Sequence, residues 1–132
     1  MDHPTVSCSI VCDGIHVDYP AVRIAKKIMG DRLFHITDAV AHSTEGAYHH
    51  LYKGDHYALP DGTLSGSSLT MLKSVKNGIL HAGISLEESL RMASLYPSRF
   101  LSGQKRGVLE SGAIADLLVL DNELNLVELI TS

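Results

Sequence analysis

The sequence predicts an α/β fold, and three observations carry that reading. A strand, a helix and a second strand follow one another over residues 6–37, two amphipathic helical stretches fill 67–97, and short strands separated by turn signals make up the tail. Val6 to Cys12 alternates and then runs apolar, as a strand with one buried face does, and Asp13-Gly14 ends it. Asp18 stands as a helix cap with Pro20 in the first turn, where a missing N–H costs little. Val22, Ala25, Ile28 and Met29 form the apolar stripe of that helix, Gly30 stops it, and Leu33 to Thr37 is the second strand. Short connections make this a βαβ unit with parallel strands.

From Ala41 to Gly66 the composition shifts to His, Tyr, Gly and Asp. Lys53-Gly54-Asp55 and Asp61-Gly62 are turn signals, so this long excursion is expected to carry one or two small hairpins. Ser67 or Ser68 is expected to cap the next helix, whose stripe is Leu69, Leu72, Val75 and Ile79, with Gly83 as its stop. Ser85-Leu86-Glu87-Glu88 reads as a capping box, with Leu86, Leu90 and Ala93 as the buried face of the helix it opens and Pro97 past its end. Gly107-Val108-Leu109, Asp116 to Asp121 and Leu126 to Ile130 are expected strands, with a turn at Ser111-Gly112. A (β/α)8 barrel takes roughly 250 residues. The 132 residues here therefore hold at most part of one, and barrel strands in them would be its last.

Bulk properties narrow the class of function. The chain is 45% hydrophobic and 20% charged, as a globular domain is. A net charge of -4 gives no reason to expect a nucleic-acid surface. No apolar run reaches the roughly 18 residues of a membrane span, and Met1-Asp2-His3-Pro4 lacks a signal peptide's regions. A cytoplasmic location is the expectation. Cys8 and Cys12 would face one side of a strand roughly 13 Å apart, too far for a disulfide, and read as buried free thiols.

Chemistry is expected where the two opening strands end, because C-terminal strand ends form the active face of parallel α/β folds. His16 and Asp38 fall there as a pair on one rim. An aspartate in that place can take a proton from water and return it to a leaving group; the alternative is that Asp13 and Asp38 only cap turns or helices. Gly62 to Ser68 runs toward a helix and could approach a ligand through its backbone, although the Gly-Lys-Ser/Thr of a phosphate loop is absent. His42, His49, His50 and His56 share one loop. They read as solvated histidines, with a loop metal site as the alternative.

In this order the motifs resemble one family. Asp13-Gly14-Ile15-His16-Val17-Asp18, Ile36-Thr37-Asp38-Ala39, Asp61 to Met71 and Leu90 to Pro97 are similar to successive motifs of the N-acetylglucosamine-6-phosphate deacetylases, and Gly107 to Asp121 resembles a strand segment found widely in the amidohydrolase superfamily. The resemblance implies the C-terminal part of a metal-dependent barrel over 1–106, with the hairpin-containing loop at 41–66, and C-terminal strands of a small β-sandwich over 107–132. It implies Asp38 as the catalytic aspartate after the eighth barrel strand, His16 as a substrate contact after the seventh, and Leu64, Ser65 and Gly66 as a backbone wall of the sugar pocket. Amide hydrolysis of an amino-sugar phosphate follows, with a divalent metal of the zinc or iron class polarising the carbonyl. The family's metal-binding glutamate and two histidines are expected upstream of this chain, as are the residues that grip the phosphate. Tight metal binding and activity are therefore not expected of the chain alone, and Ala41-His42-Ser43-Thr44 departs from the Pro/Gly-rich loop of many members. A homo-oligomer is expected, with no nucleic-acid or membrane partner. A dihydroorotase-like or deaminase-like amidohydrolase is the enzymatic alternative, and a non-catalytic assembly fragment the other.

Overall fold

The structure, a computed structural model, describes residues 3–46, 49–103 and 105–131. Residues 47 and 48 of the expected hairpin loop, Met1 and Asp2 of the expected leader-free start, and Ser132 of the expected tail lie outside the described residues.

Strand β1 (Cys8–Val11) and strand β2 (Leu33–Ile36) are parallel neighbours, with Cys8 opposite Leu33 and Val11 opposite Ile36. Helix α1 (Tyr19–Met29) makes the crossover between them. Val22, Ala25 and Met29 are buried as the periodicity requires, whereas Ile28 is 52% exposed and lies off the buried stripe. Asp18 occupies the cap position without a capping hydrogen bond from its side chain. A short 3-10 turn at Gly30–Arg32 leads into β2.

The excursion folds into two hairpins. Strands β3 (Leu51–Tyr52), β4 (His56–Ala58) and β5 (Leu64–Ser67) form an antiparallel sheet in that order. Ser67 is therefore a strand residue and not a helix cap. Helix α2 (Met71–Leu80) is capped instead by Thr70, whose hydroxyl accepts from the Lys73 amide at 3.2 Å. The stretch expected as a loop running into a helix is an extended strand, because 64–67 pairs with β4.

Helix α3 (Leu86–Ala93) begins at Ser85, whose hydroxyl accepts from the Glu88 amide at 3.3 Å. The Glu88 carboxylate does not complete the box. It accepts from Lys26 of α1 and from the Tyr96 hydroxyl of helix α4 (Leu95–Ser98), tying three helices together. The buried face of α3 is Ser89 and Met92; Leu86 and Leu90 are exposed and Ala93 is half-buried, contrary to the expected stripe. The core gathers Ile10, Cys12, Val22, Met29, Leu33 and Met92 between the β1–β2 pair and these helices.

Strands β6 (Leu117–Leu120) and β7 (Leu126–Ile130) form an antiparallel hairpin. The expected strand at 107–109 does not form: the Ile114 amide donates to the Lys105 carbonyl at 3.0 Å, closing 105–114 into a loop, and the Ser111-Gly112 turn sits within it. Both cysteines are free, and burial pushes the Cys12 thiol up to about 11, with the Asp13 charge adding to it. No helix among the described residues is long and apolar enough to cross a membrane.

Candidate active site

The site begins with the register of β1 and β2, which ends both strands at one level and sends their next residues to one rim. Past β1 the chain turns sharply. One Asp13 carboxylate oxygen accepts from the Ile15 and His16 amides, both at 2.9 Å, and the other contacts the His16 ring Nδ1 at 2.6 Å. Gly14 permits the turn: its φ is +78°, and an added Cβ would lie 2.7 Å from the Tyr19 ring. The Tyr19 hydroxyl donates to the Asp13 carbonyl at 3.1 Å, and Asn77 of α2 donates to the Cys12 carbonyl at 2.8 Å, so α1 and α2 both brace this turn. Burial alone would raise the Asp13 carboxyl, but the hydrogen bonds from the His16 ring and the two amides outweigh it and hold it below the usual carboxylate range.

Past β2, Asp38 adopts φ +51°, in the left-handed region that few non-glycine residues visit. Strand β5 holds it there. The Ser67 amide donates to the Asp38 carbonyl at 2.8 Å, the Val40 amide donates to the Ser67 carbonyl at 3.2 Å, and the buried Ser67 hydroxyl donates to the Thr37 carbonyl. A left-handed aspartate fixed by neighbouring backbone makes this turn a candidate for function. The Asp38 side chain is 57% exposed. Its Oδ2 lies 3.9 Å from His16 Nε2, and that nitrogen is buried without a hydrogen-bond partner.

The structure thus brings His16, Asp38 and Gly66 together. Gly66 packs so closely that a Cβ would lie 2.7 Å from the Val40 methyls and 3.3 Å from the Asp38 carbonyl oxygen. Leu64 and Ser65 continue along the same strand, with the Ser65 hydroxyl 3.0 Å from His50 Nδ1. His56 pairs with Asp55 at 2.7 Å and His42 is exposed. Among the described residues no three His, Cys, Asp or Glu side chains converge as a metal set. A zinc-class ion takes three or four protein ligands, so these residues do not fit such an ion by themselves. Asp13 caps the turn, as the sequence allowed, but its hold on the His16 ring was missed, although the Asp-Gly-x-His spacing lets a carboxylate reach the ring three residues on. The hold of Ser67 on Asp38 was missed as well, because it comes from pairing with Ala39 across the fold.

Two cavities stand near these elements. A polar one of about 270 Å³ adjoins the Asp13 turn and is lined by Tyr19, Asp55, Lys73 and His81. The larger, about 380 Å³, is an apolar seam between α2, α3 and the tail, lined by Val75, Leu90 and Leu117. It contains neither His16 nor Asp38, so size does not locate the chemistry here.

A model of the amidohydrolase family matches residues 2–131. The N-acetylglucosamine-6-phosphate deacetylase of Haemophilus influenzae is 38% identical over 125 residues, 86% of this chain and 32% of that protein. The crystal structure of the Pasteurella multocida N-acetylglucosamine-6-phosphate deacetylase superposes with a TM-score of 0.90 at 33% identity, covering 98% of this chain and 36% of that one. A variant of the Mycobacterium smegmatis enzyme, solved in complex with N-acetyl-D-glucosamine-6-phosphate, gives 0.83 at 25% identity, covering 98% of this chain and 37% of that one. The chain spans about a third of the length of the curated relatives it matches.

Proposed function

The chain belongs to the amidohydrolase family, and on that premise we propose that it is part of an N-acetylglucosamine-6-phosphate deacetylase. The reaction is hydrolysis of the substrate's acetamide to glucosamine 6-phosphate and acetate, a step of amino-sugar catabolism in the cytoplasm. The observation that carries the reading is Asp38, held in a left-handed turn by Ser67 and facing His16 across 3.9 Å. Asp38 is the general base. It takes a proton from the attacking water as the oxygen bonds to the carbonyl carbon, then delivers it to the sugar nitrogen as the C–N bond breaks. His16 contacts the substrate, and Leu64, Ser65 and Gly66 wall the sugar through β5.

In this reading 1–106 supplies the last two strands and helices of a (β/α)8 barrel and 107–132 the closing strands of a small β-sandwich. The β1–α1–β2 unit and the β6–β7 hairpin support that division. A divalent ion of the zinc or iron class belongs, in the same reading, to residues outside this chain, and the proton steps above involve Asp38 alone. The test is amine release from N-acetylglucosamine 6-phosphate. The intact protein carrying this segment is expected to turn it over, and the chain by itself is not. No release by the intact protein would sink the function, and turnover by this chain alone would sink its assignment as a part.

A further inference from the structure

We propose that Asp13 is a positioning residue that fixes His16 in the Nδ1–H tautomer and so reserves Nε2 for the ligand beside Asp38. The proposal rests on the proposed contact between His16 and substrate. In a neutral imidazole one nitrogen donates and the other accepts, and the partner of one decides the role of the other. Asp13, with its side chain 6% exposed, is an acceptor at both oxygens. Oδ1 already serves the Ile15 and His16 amides, and Oδ2 faces Nδ1 at 2.6 Å. Nδ1 must therefore carry the hydrogen. In the neutral ring Nε2 is then a lone pair, buried, unpartnered and 3.9 Å from the Asp38 carboxylate.

Two acceptors facing one gap select a hydrogen-bond donor between them. A sugar hydroxyl, a water and a nitrogen bearing hydrogens are donors of that kind. Asp13 thus shapes the reaction without touching the substrate, as a carboxylate behind a catalytic histidine does elsewhere.

The chemistry of Asp13→Asn makes the idea testable. An asparagine has one acceptor oxygen and one amide NH2. The oxygen stays with the two backbone amides, which keeps the turn, and the NH2 then points at Nδ1. That ring nitrogen becomes an acceptor and the hydrogen moves to Nε2. The experiment is 15N NMR of the imidazole nitrogens in the full-length protein carrying this segment, at a pH where the ring is neutral. A His16→Gln variant assigns the resonances. The unsubstituted protein is expected to show Nδ1 protonated and Nε2 bare, and Asp13→Asn the reverse. Its kcat/KM for N-acetylglucosamine 6-phosphate should fall about 10–100-fold at an unchanged Tm. A merely structural role would lower Tm and leave the tautomer alone.

An Nε2–H tautomer in the unsubstituted protein overturns the proposal whether or not the variant folds, and so does an unmoved tautomer in Asp13→Asn. An inverted tautomer with undiminished turnover overturns the reservation of Nε2 for the ligand. The deacetylase reading would stand in that case, because it fails only if the intact protein releases no amine from N-acetylglucosamine 6-phosphate.

Discussion

His16 and Asp38 meet from the ends of adjacent parallel strands, with Nε2 3.9 Å from Oδ2, although 22 positions separate them in sequence. Each is fixed by a separate device: His16 by the Asp13 turn, Asp38 by the Ser67 strand. Perturbing either device should move one residue and spare the other.

Gly66→Ala tests the second device. The new methyl meets the Val40 side chain at 2.7 Å and the Asp38 carbonyl at 3.3 Å, at a φ of +148° that disfavours a side chain. Overpacking of this kind costs roughly 1–3 kcal/mol. The expected outcome is a lower urea midpoint at unchanged slope, together with lost turnover in the intact protein. A midpoint equal to that of the unsubstituted chain would show that β5 does not press on Asp38.

His35 sets an acid limit on stability. It lies in β2, 1% exposed, with Nε2 3.2 Å from the Ser89 hydroxyl, which itself donates to the Val75 carbonyl at 3.1 Å. Burial, and then the Lys26 charge, lower its pKa from 6.5 to about 4. The unfolded chain thus takes up a proton that the folded one refuses. Stability from the neutral ring is full above about pH 6.5 and declines as pH falls toward 4, by roughly 3 kcal/mol in all. Urea unfolding between pH 7 and 4.5 should show the decline, and NMR titration should find His35 still neutral at pH 5.5. A His35 ring that titrates near 6.5 in the folded state would refute this.

The βαβ opening was legible because each of its signals is local: apolar runs for the strands, Pro20 and Gly30 for the ends of α1, and a stripe at helical spacing. The meeting of His16 and Asp38 on one rim was legible because strand ends follow from the strands. The buried face of α3 was not. Leu86 and Leu90 outweigh Ser89 in hydrophobicity, yet Ser89 faces the core because its hydroxyl serves both His35 and the Val75 carbonyl. That partnership joins residues 54 apart in sequence. Ser67 was hidden for the same reason, since a serine followed shortly by a helix carries a capping signal that β4 and Ala39 override.

Association is expected of the chain in isolation. Leu126, Val127, Leu129 and Ile130 of β7 are all exposed, as is Leu118 of β6. Among the described residues, the β1–β2 sheet has two strands only. Such apolar strands and open edges attract further strands. Light scattering should find a dimer or larger species. A monodisperse monomer at micromolar concentration would contradict the oligomer proposal.

The most direct measurement is the turnover of Asp38→Asn in the intact protein carrying this segment, with N-acetylglucosamine 6-phosphate as substrate. Asparagine tolerates the left-handed backbone that Asp38 adopts and keeps the side chain's shape. It cannot accept the proton from water. If Asp38 is the base, kcat falls about 10²–10⁴-fold while the fold persists. Turnover close to that of the unsubstituted protein would contradict the account.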